Sequence, residues 1–125
     1  MSSEKRDALE KVIGPVSRET FERLQEFESR FLRWNQQINL AASSTLESFW
    51  TRHVIDSAQL LKWAGTPGVW LDLGSGGGLP GAVVAILLEG RCVVHLVESN
   101  RKKAAFLLTP LSQLGLRASV HPIRI

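Results

Sequence analysis

The sequence has little cysteine and no long apolar run, and both shortages restrict what the protein can be. Cys92 is the one cysteine in 125 residues, so an internal disulfide is impossible and a reducing, cytoplasmic setting is expected. No apolar run reaches membrane-spanning length, and the polar start from Met1 to Arg6 lacks the apolar core of a signal peptide. We therefore expect one domain that contacts no membrane.

Lysine is absent between Lys62 and Lys102, and this gap contains a glycine-rich turn. Five of the eight residues from Gly74 to Gly81 are glycine. The apolar run 69–73 before the turn predicts a buried strand, and the apolar run 82–88 after it predicts a helix. A P-loop requires Gly-Lys-Ser or Gly-Lys-Thr, so nucleoside triphosphate binding of that kind is excluded.

The glycine spacing and a nearby carboxylate bear on which cofactor such a turn would hold. In the dinucleotide pattern G-x-G-x-x-G, counted from Gly74, the third glycine position falls on Leu79, which disfavours NAD and FAD. Asp72 at the end of the strand would repel a pyrophosphate but attract an ammonium or sulfonium group. The pattern D-x-G-x-G-x-G, formed by Asp72, Gly74, Gly76 and Gly78, resembles motif I of the class I S-adenosylmethionine-dependent methyltransferases. A strand-to-helix connection without ligand remains the alternative.

Glu98 closes a second predicted strand, 93–97, and lies 24 residues after Gly74 (98 − 74 = 24). A right-handed βαβ crossover brings the carboxyl ends of neighbouring strands together, so Glu98 should lie beside the glycine turn. There it could accept two ribose hydroxyls. That contact is shared by NAD and S-adenosylmethionine, so it favours an adenosine ligand without choosing between them. The alternative is an ordinary carboxylate near a helix N-cap.

The first half of the chain is predicted to be helical and electrically neutral. Residues 1–68 contain nine basic and nine acidic side chains, whereas residues 69–125 contain six basic against three acidic. Ser17 is a predicted N-cap, Ser44 and Glu47 form a predicted capping box, and further helices are expected through Phe49 and over 57–64. We expect a helical region, 1–68, followed by an α/β region, 69–125, with a helix to residue 114 and a third strand over 118–123.

Two groups outside the turn could carry chemistry. His53 and Asp56 stand at i and i+3 on a helix, where they could orient a substrate or form a structural pair, and they are too few to bind zinc. Three cations, Arg101, Lys102 and Lys103, open the predicted last helix and could contact nucleic-acid phosphate, hold Glu98, or form a solvated basic turn. The tryptophans are predicted to be packing residues: Trp34, Trp50 and Trp63.

Several motifs in order resemble one family, the bacterial small-subunit ribosomal RNA guanine-N7 methyltransferases known as RsmG or GidB. They are Trp34-Asn35 to Asn39-Leu40, Arg52-His53-Val54-Ile55-Asp56-Ser57, Leu71 to Gly81, and Val97-Glu98-Ser99 with Lys102-Lys103 and Phe106-Leu107. The resemblance implies a cytoplasmic, S-adenosylmethionine-dependent enzyme acting on a guanine of 16S ribosomal RNA, naked or in the 30S particle, without a metal. The cofactor residues so predicted are Asp72, Gly74, Ser75, Gly76, Gly78, Leu79, Glu98 and Ile125.

The same resemblance implies an α/β fold in which the helical segment precedes a truncated class I, Rossmann-like sheet of three parallel strands. Family members continue for several more strands, so we expect this chain to be an amino-terminal portion that binds the cofactor weakly and transfers no methyl group. The full-length protein is expected to be a monomer. Two alternatives remain open: an NAD-dependent oxidoreductase, and a noncatalytic module for RNA binding or ribosome assembly.

Overall fold

The computed structural model describes residues 2–40, 48–64, 68–74, 76–88, 91–113 and 118–124. Within these ranges a helical amino-terminal part precedes three parallel strands joined by helices. This is the α/β architecture that the sequence predicts. No helix in the described ranges combines the length and the apolarity needed to cross a membrane. The division of the chain into regions 1–68 and 69–125 stays a prediction.

The amino-terminal part consists of α1 (Ser2–Ile13), α2 (Arg18–Asn35), a π-helical segment (Trp50–Ile55), α3 (Asp56–Gln59) and α4 (Leu61–Ala64). Ser17 caps α2 as predicted, because its Oγ accepts the backbone N–H of Thr20 at 3.1 Å. The segment through Phe49 is helical, but the helix predicted over 57–64 begins at Asp56 and is interrupted at Leu60. The capping box of Ser44 and Glu47 lies outside the described residues.

The sheet consists of β1 (Val69–Leu73), β2 (Val93–Val97) and β3 (Ala118–His121), all parallel and in the order β1-β2-β3. Two helices connect the strands, α5 (Gly81–Leu88) and α6 (Arg101–Gln113). The predicted third strand, 118–123, is too long. It ends at His121 because Pro122 has no N–H to donate to the ladder.

The described helices pack on one face of the sheet. Strand residues alternate between faces, and Trp70, Val94 and Leu96 belong to the face on which α5 and α6 pack. Every residue of α5 is buried, because this helix lies between the sheet and α2. The opposite face of β1 is exposed, with Val69, Leu71 and Leu73 accessible to 64%, 58% and 54%.

Aromatic rings fill the space between α2, the π-helical segment and α6. Phe31 and Phe49 approach to 4.6 Å between ring centroids, and Trp34 contacts Phe106 at 5.6 Å. Trp50 is buried, and its indole N–H donates to the carbonyl of Lys5 at 3.0 Å. Trp34 and Trp50 are thus packing residues, as predicted. The same prediction is wrong for Trp63, which is 85% exposed and is not among the residues that pack against the core.

Candidate functional site

The glycine turn connects β1 to α5 at the carboxyl end of the sheet. The N–H of Gly74 donates to the carbonyl of Val97 at 2.9 Å, so the turn starts where the β1–β2 ladder stops. Gly74, Gly76 and Gly78 have φ values of 74°, 55° and 87°, which side chains with a Cβ rarely adopt. The alternation of glycine therefore follows from the backbone path of this turn.

The glycines of the turn face two different environments. A Cβ added at Gly74 or Gly76 would meet nothing within 4 Å, so this part of the turn borders open space. At Gly78 an added Cβ would come within 2.8 Å of both Ala82 Cβ and Leu107 Cδ2. Gly78 therefore allows α5 and α6 to pack closely, whereas Gly74 and Gly76 leave room for a ligand.

Glu98 connects the end of β2 to the turn. Its Oε1 accepts the N–H of Gly76 at 2.6 Å, and its Oε2 accepts the N–H of Asn100 at 2.8 Å. The residue is 8% exposed, and its own N–H donates to the carbonyl of His121 at 3.0 Å. A carboxylate has about four acceptor positions, so each oxygen keeps capacity for a further donor such as a ribose hydroxyl. The predicted proximity of Glu98 and the glycine turn is observed.

The cap of α6 belongs to a neighbour of Glu98. Asn100 Oδ1 accepts the N–H of Lys103 at 3.1 Å, which is the N-cap bond of this helix. Glu98 therefore binds at both places: its Oε2 accepts the N–H of the N-cap residue Asn100, as the cap alternative predicts, and its Oε1 reaches across to Gly76.

Asp72 lies on the helix-covered face of β1 and is half-buried. Its Oδ2 accepts the N–H of Gly81 at 3.1 Å, at the start of α5. A carboxylate in this position is favoured by the positive end of the helix dipole. Leu79, also half-buried, packs against the apolar core. Cofactor contact by these two residues stays a prediction.

His53 is connected to the turn through packed rings. Its ring lies 5.3 Å from that of Phe49, Phe49 contacts Phe31, and Phe31 packs against Gly77 of the turn. Burial lowers the pKa of His53 below its ordinary value of 6.5, while the charge of Asp56 acts to raise this pKa and that of Arg52 to lower it. Burial therefore favours the neutral form of the imidazole. The predicted role of His53 and Asp56 in orienting a substrate is not tested by this arrangement.

The three cations of α6 follow the site directly in sequence. Arg101 and Lys102 are exposed and Lys103 is half-buried. They stand at the first turn of α6, one to three residues after Asn100, whose N–H binds Glu98. Cations near Glu98 would oppose the helix dipole but could bind phosphate.

Ser75 and Ile125, which are also predicted cofactor residues, lie outside the described residues.

The residues of the turn fit an adenosine ligand by their chemistry. Open space borders Gly74 and Gly76, and the nearly buried Glu98 carboxylate faces the same turn.

A separate cavity of about 420 Å³ lies between α1, α2, α4 and the carboxyl end of α5. It is lined by Ile13, Ser17, Leu61 and Leu87, among others. That cavity is at the other end of α5 from the turn. Among the described residues, no group of three or more His, Cys, Asp or Glu could hold a metal ion.

Three contacts of the site were not predicted from the sequence. The Asn100 N–H donates to the Glu98 carboxylate, and the His121 carbonyl accepts the Glu98 N–H. The Phe31 ring packs against Gly77. The apolar stripe of α2 signalled that Phe31 is buried but not what it covers. The other two contacts involve the backbone groups of Asn100 and His121. A pattern of side-chain types does not indicate which backbone groups will bind each other, so these contacts could not be predicted from the sequence.

A parallel sheet with a glycine turn after its first strand and a carboxylate closing the second defines a Rossmann-like α/β protein. The family model "rRNA small subunit methyltransferase G" matches residues 20–124. The chain belongs to this family, GidB.

Individual relatives agree with the family match. A protein of Chelativorans sp. (strain BNC1), called ribosomal RNA small subunit methyltransferase G, is 55% identical over 127 residues, covering 100% of this chain and 60% of the relative. The protein of the same name from Rhizobium meliloti (strain 1021) is 57% identical over 113 residues, covering 88% of this chain and 53% of the relative. The chain thus spans a little over half the length of the curated relatives it matches.

Proposed function

We propose that the protein is a methyltransferase that uses S-adenosylmethionine to methylate guanine N7 of 16S ribosomal RNA. The observation that supports the proposal is the hydrogen bond from the Gly76 N–H to Glu98 Oε1, which brings a carboxylate to the glycine turn beside the open space at Gly74 and Gly76. Family membership indicates the reaction class, since the matched relatives are named as ribosomal RNA methyltransferases. The proposed place of action is the cytoplasm.

We assign the cofactor contacts by chemistry. Glu98 would accept the ribose hydroxyls, and Gly74 and Gly76 would let the backbone approach the ligand closely. Asp72, Ser75, Gly78, Leu79 and Ile125 complete the proposed set on the strength of the family's motif rather than of an observed contact. When bound, the cofactor supplies an electrophilic methyl group on a sulfonium centre.

A sulfonium fits this site better than a pyrophosphate. Asp72 is a carboxylate at the end of β1, two residues before the turn, and would repel a diphosphate. Leu79 occupies the position at which a dinucleotide fingerprint has its third glycine. Both features disfavour NAD and leave S-adenosylmethionine as the preferred ligand.

The substrate side requires positioning rather than proton transfer. Guanine N7 carries an exposed lone pair and no proton, so no general base is needed. His53 is partly buried, and burial favours its neutral form, which suits a hydrogen-bonding role toward a base. The exposed cations Arg101 and Lys102 are proposed to bind phosphate of the RNA.

Equilibrium dialysis of the chain against S-adenosylmethionine and, separately, against NAD tests the cofactor. We expect saturable binding of S-adenosylmethionine alone. Glu98→Gln keeps the size of the side chain but removes its charge and places an amide N–H where an acceptor is needed, so affinity should fall about 10- to 100-fold. Glu22→Gln, on the exposed face of α2, is the matched control and should bind like wild type. Tighter binding of NAD would overturn the assignment.

A pair of glycine variants separates backbone strain from loss of the site. Gly76→Ala and Gly14→Ala both force a Cβ into the left-handed region, with φ of 55° and 85°, and both place it in open space. They should therefore destabilise the fold similarly, by about 1–2 kcal/mol. Only Gly76→Ala should weaken S-adenosylmethionine binding. Equal loss of binding in the two variants would show that strain, not the site, is responsible.

RNA binding is tested by removing charge at α6. Arg101→Gln with Lys102→Gln should weaken binding of a 16S RNA fragment. The slope of the logarithm of the binding constant against the logarithm of the salt concentration should become shallower by the amount expected for the loss of about two phosphate contacts. Lys11→Gln with Arg18→Gln removes equal charge from exposed positions on α1 and α2 and is the control. Equal weakening in the two double variants would refute a specific role for α6. RNA binding by a chain that binds no cofactor would favour the noncatalytic module instead.

A further inference from the structure

We propose that His95 and His121 form a hydrogen-bonded pair of imidazoles that positions Glu98, and that acid releases this pair. The Nδ1 of His95 and the Nε2 of His121 are 3.0 Å apart, within hydrogen-bond distance. The ring centroids are 5.2 Å apart and the rings are tilted by 40°, so the rings meet by their nitrogens rather than by stacking. The importance of the pair for the cofactor rests on the proposed function.

The pair lies on the face of the sheet that the described helices leave uncovered. His95 is in register with Ser119, and His121 is in register with Val97, so the two histidines are diagonal neighbours on adjacent strands. Both side chains are half-buried. Their bond joins the middle of β2 to the last residue of β3, at the end of the sheet where the glycine turn lies.

The backbone of His121 links the pair to the site. Its carbonyl accepts the N–H of Glu98 at 3.0 Å and the N–H of Ile123 at 2.9 Å. The Glu98 carboxylate in turn accepts the N–H of Gly76 at 2.6 Å. A displacement of His121 would therefore be transmitted through the Glu98 backbone to the carboxylate that is proposed to hold the ribose.

The bond between the rings limits how many protons the pair can hold. One imidazole must donate an N–H and the other must accept with a bare nitrogen, so the pair is satisfied with no added proton or with one. A second proton places two N–H groups and two positive charges against each other. Imidazole is the side chain that gains a proton most readily in mild acid, so lowering the pH is the way to supply that second proton.

In the part of the chain that the structure describes, few other charges face the pair. On the uncovered face the strands contribute only apolar or hydroxyl side chains besides the histidines, namely Val69, Leu71, Leu73, Val93, Val97 and Ser119. The α5 helix, which packs on the other face of β2, carries no charged side chain in its described span. Among the described residues, the other charged groups at this end of the sheet are Asp72 and Glu98, whose carboxylates bind backbone N–H groups, exposed Arg124, and the cations of α6, which contacts β3 from the other face.

The direct test follows the amide resonance of Glu98 by NMR from pH 7.5 to pH 5, in wild type and in His95→Asn. The asparagine side chain would keep an amide near the position of Nδ1 and could donate or accept by rotation, so the bond should survive a protonated His121. We expect the Glu98 amide to shift in acid in wild type, together with both histidine rings, and to shift much less in His95→Asn. Effects of acid on the Glu98 amide that do not involve the histidine pair are common to both proteins and cancel in the comparison.

Two further variants guard against a folding artefact. His121→Gln places an amide near the former Nε2 and should reproduce the flat response of His95→Asn. Ser119→Ala changes the register partner of His95 without changing either ring and should keep the wild-type response. The same acid-induced shift of the Glu98 amide in wild type and in both histidine variants would overturn the proposal.

Cofactor binding supplies the functional arm. Wild type should lose about two- to tenfold in affinity for S-adenosylmethionine between pH 7.5 and pH 5, the range expected for one hydrogen bond. His95→Asn should keep most of its affinity over this range, and His95→Val should be weak at every pH. An equal loss in wild type and His95→Asn would contradict the positioning role. Absence of binding at every pH would refute the proposed function, while the response of the Glu98 amide would still support or overturn the pair.

Discussion

The two faces of the sheet have similar strand sequences but different surroundings. On the covered face, Leu96 and Val94 are fully buried beneath α5 and α6. On the other face, Leu71 and Leu73 are more than half exposed, and none of the described residues packs over them. Apolar character alone therefore does not determine burial in this chain. What differs is which face the connecting helices cross, and right-handed βαβ connections place α5 and α6 on the same side.

The polar groups are divided between the faces in an equally informative way. Asp72 lies on the covered face and binds the start of α5, whereas His95 and His121 bind each other on the uncovered face. Glu98 stands at the end of the sheet and joins the strands to the glycine turn. The covered face thus supplies stability, and the carboxyl end of the sheet supplies the candidate site.

The largest contrast is expected between two leucines. Leu96→Ala removes a fully buried side chain and should lower the free energy of unfolding by about 2–5 kcal/mol. Leu71→Ala, at a side chain that is 58% exposed, should lower it by less than about 1 kcal/mol. Urea denaturation followed by circular dichroism measures both. Equal destabilisation would mean that the face of Leu71 is covered in solution.

A second contrast lies within the glycine turn. Gly78→Ala and Gly76→Ala share the strain of a positive φ, but only the first brings a Cβ against Ala82 and Leu107. Gly78→Ala should therefore be the more destabilising by about 1–3 kcal/mol in the same denaturation experiment. If the two variants have the same stability, the helix layer does not pack against the turn as described.

Asp72→Asn tests the polar contact on the covered face. Asn keeps an acceptor for the Gly81 N–H but loses the charge that the amino end of α5 favours. We expect a loss of about 1 kcal/mol. Glu22→Gln on α2 serves as the control, since its ion pair with Arg18 is exposed and contributes little. A more stable Asp72→Asn protein would contradict the assigned contact.

The smallest effect is expected for the pH dependence of stability that His53 causes in the helical part of the protein. Burial lowers the pKa of His53, so the folded protein binds fewer protons at this site than the unfolded chain. Stability should therefore decrease as the pH falls below about 6.5, the ordinary value for imidazole, and should do so less in His53→Gln. NMR titration should show the His53 ring ionising at lower pH than a free imidazole. A midpoint above that of free imidazole would contradict this prediction, because protonation of His53 would then stabilise the folded protein.

Much of this arrangement follows from local sequence signals. The N-cap Ser17, the apolar run of β2 and the distance from Gly74 to Glu98 predicted a helix start, a strand and the meeting of carboxylate and turn. Which face of the short helix α4 is covered depends on tertiary packing, so the exposure of Trp63 was missed. The His95–His121 bond depends on the stagger between β2 and β3, which no pattern within either strand specifies.

The central claim is that the open side of the glycine turn, closed by Glu98, holds an adenosyl sulfonium ligand. Titration of ¹⁵N-labelled protein with S-adenosylmethionine tests this most directly, because each backbone amide reports separately. The account predicts saturable shifts at Gly74, Gly76 and Glu98 and none at Gly14. Shifts confined to the residues that line the separate cavity, such as Ile13 and Leu61, or no shifts at all, would contradict it.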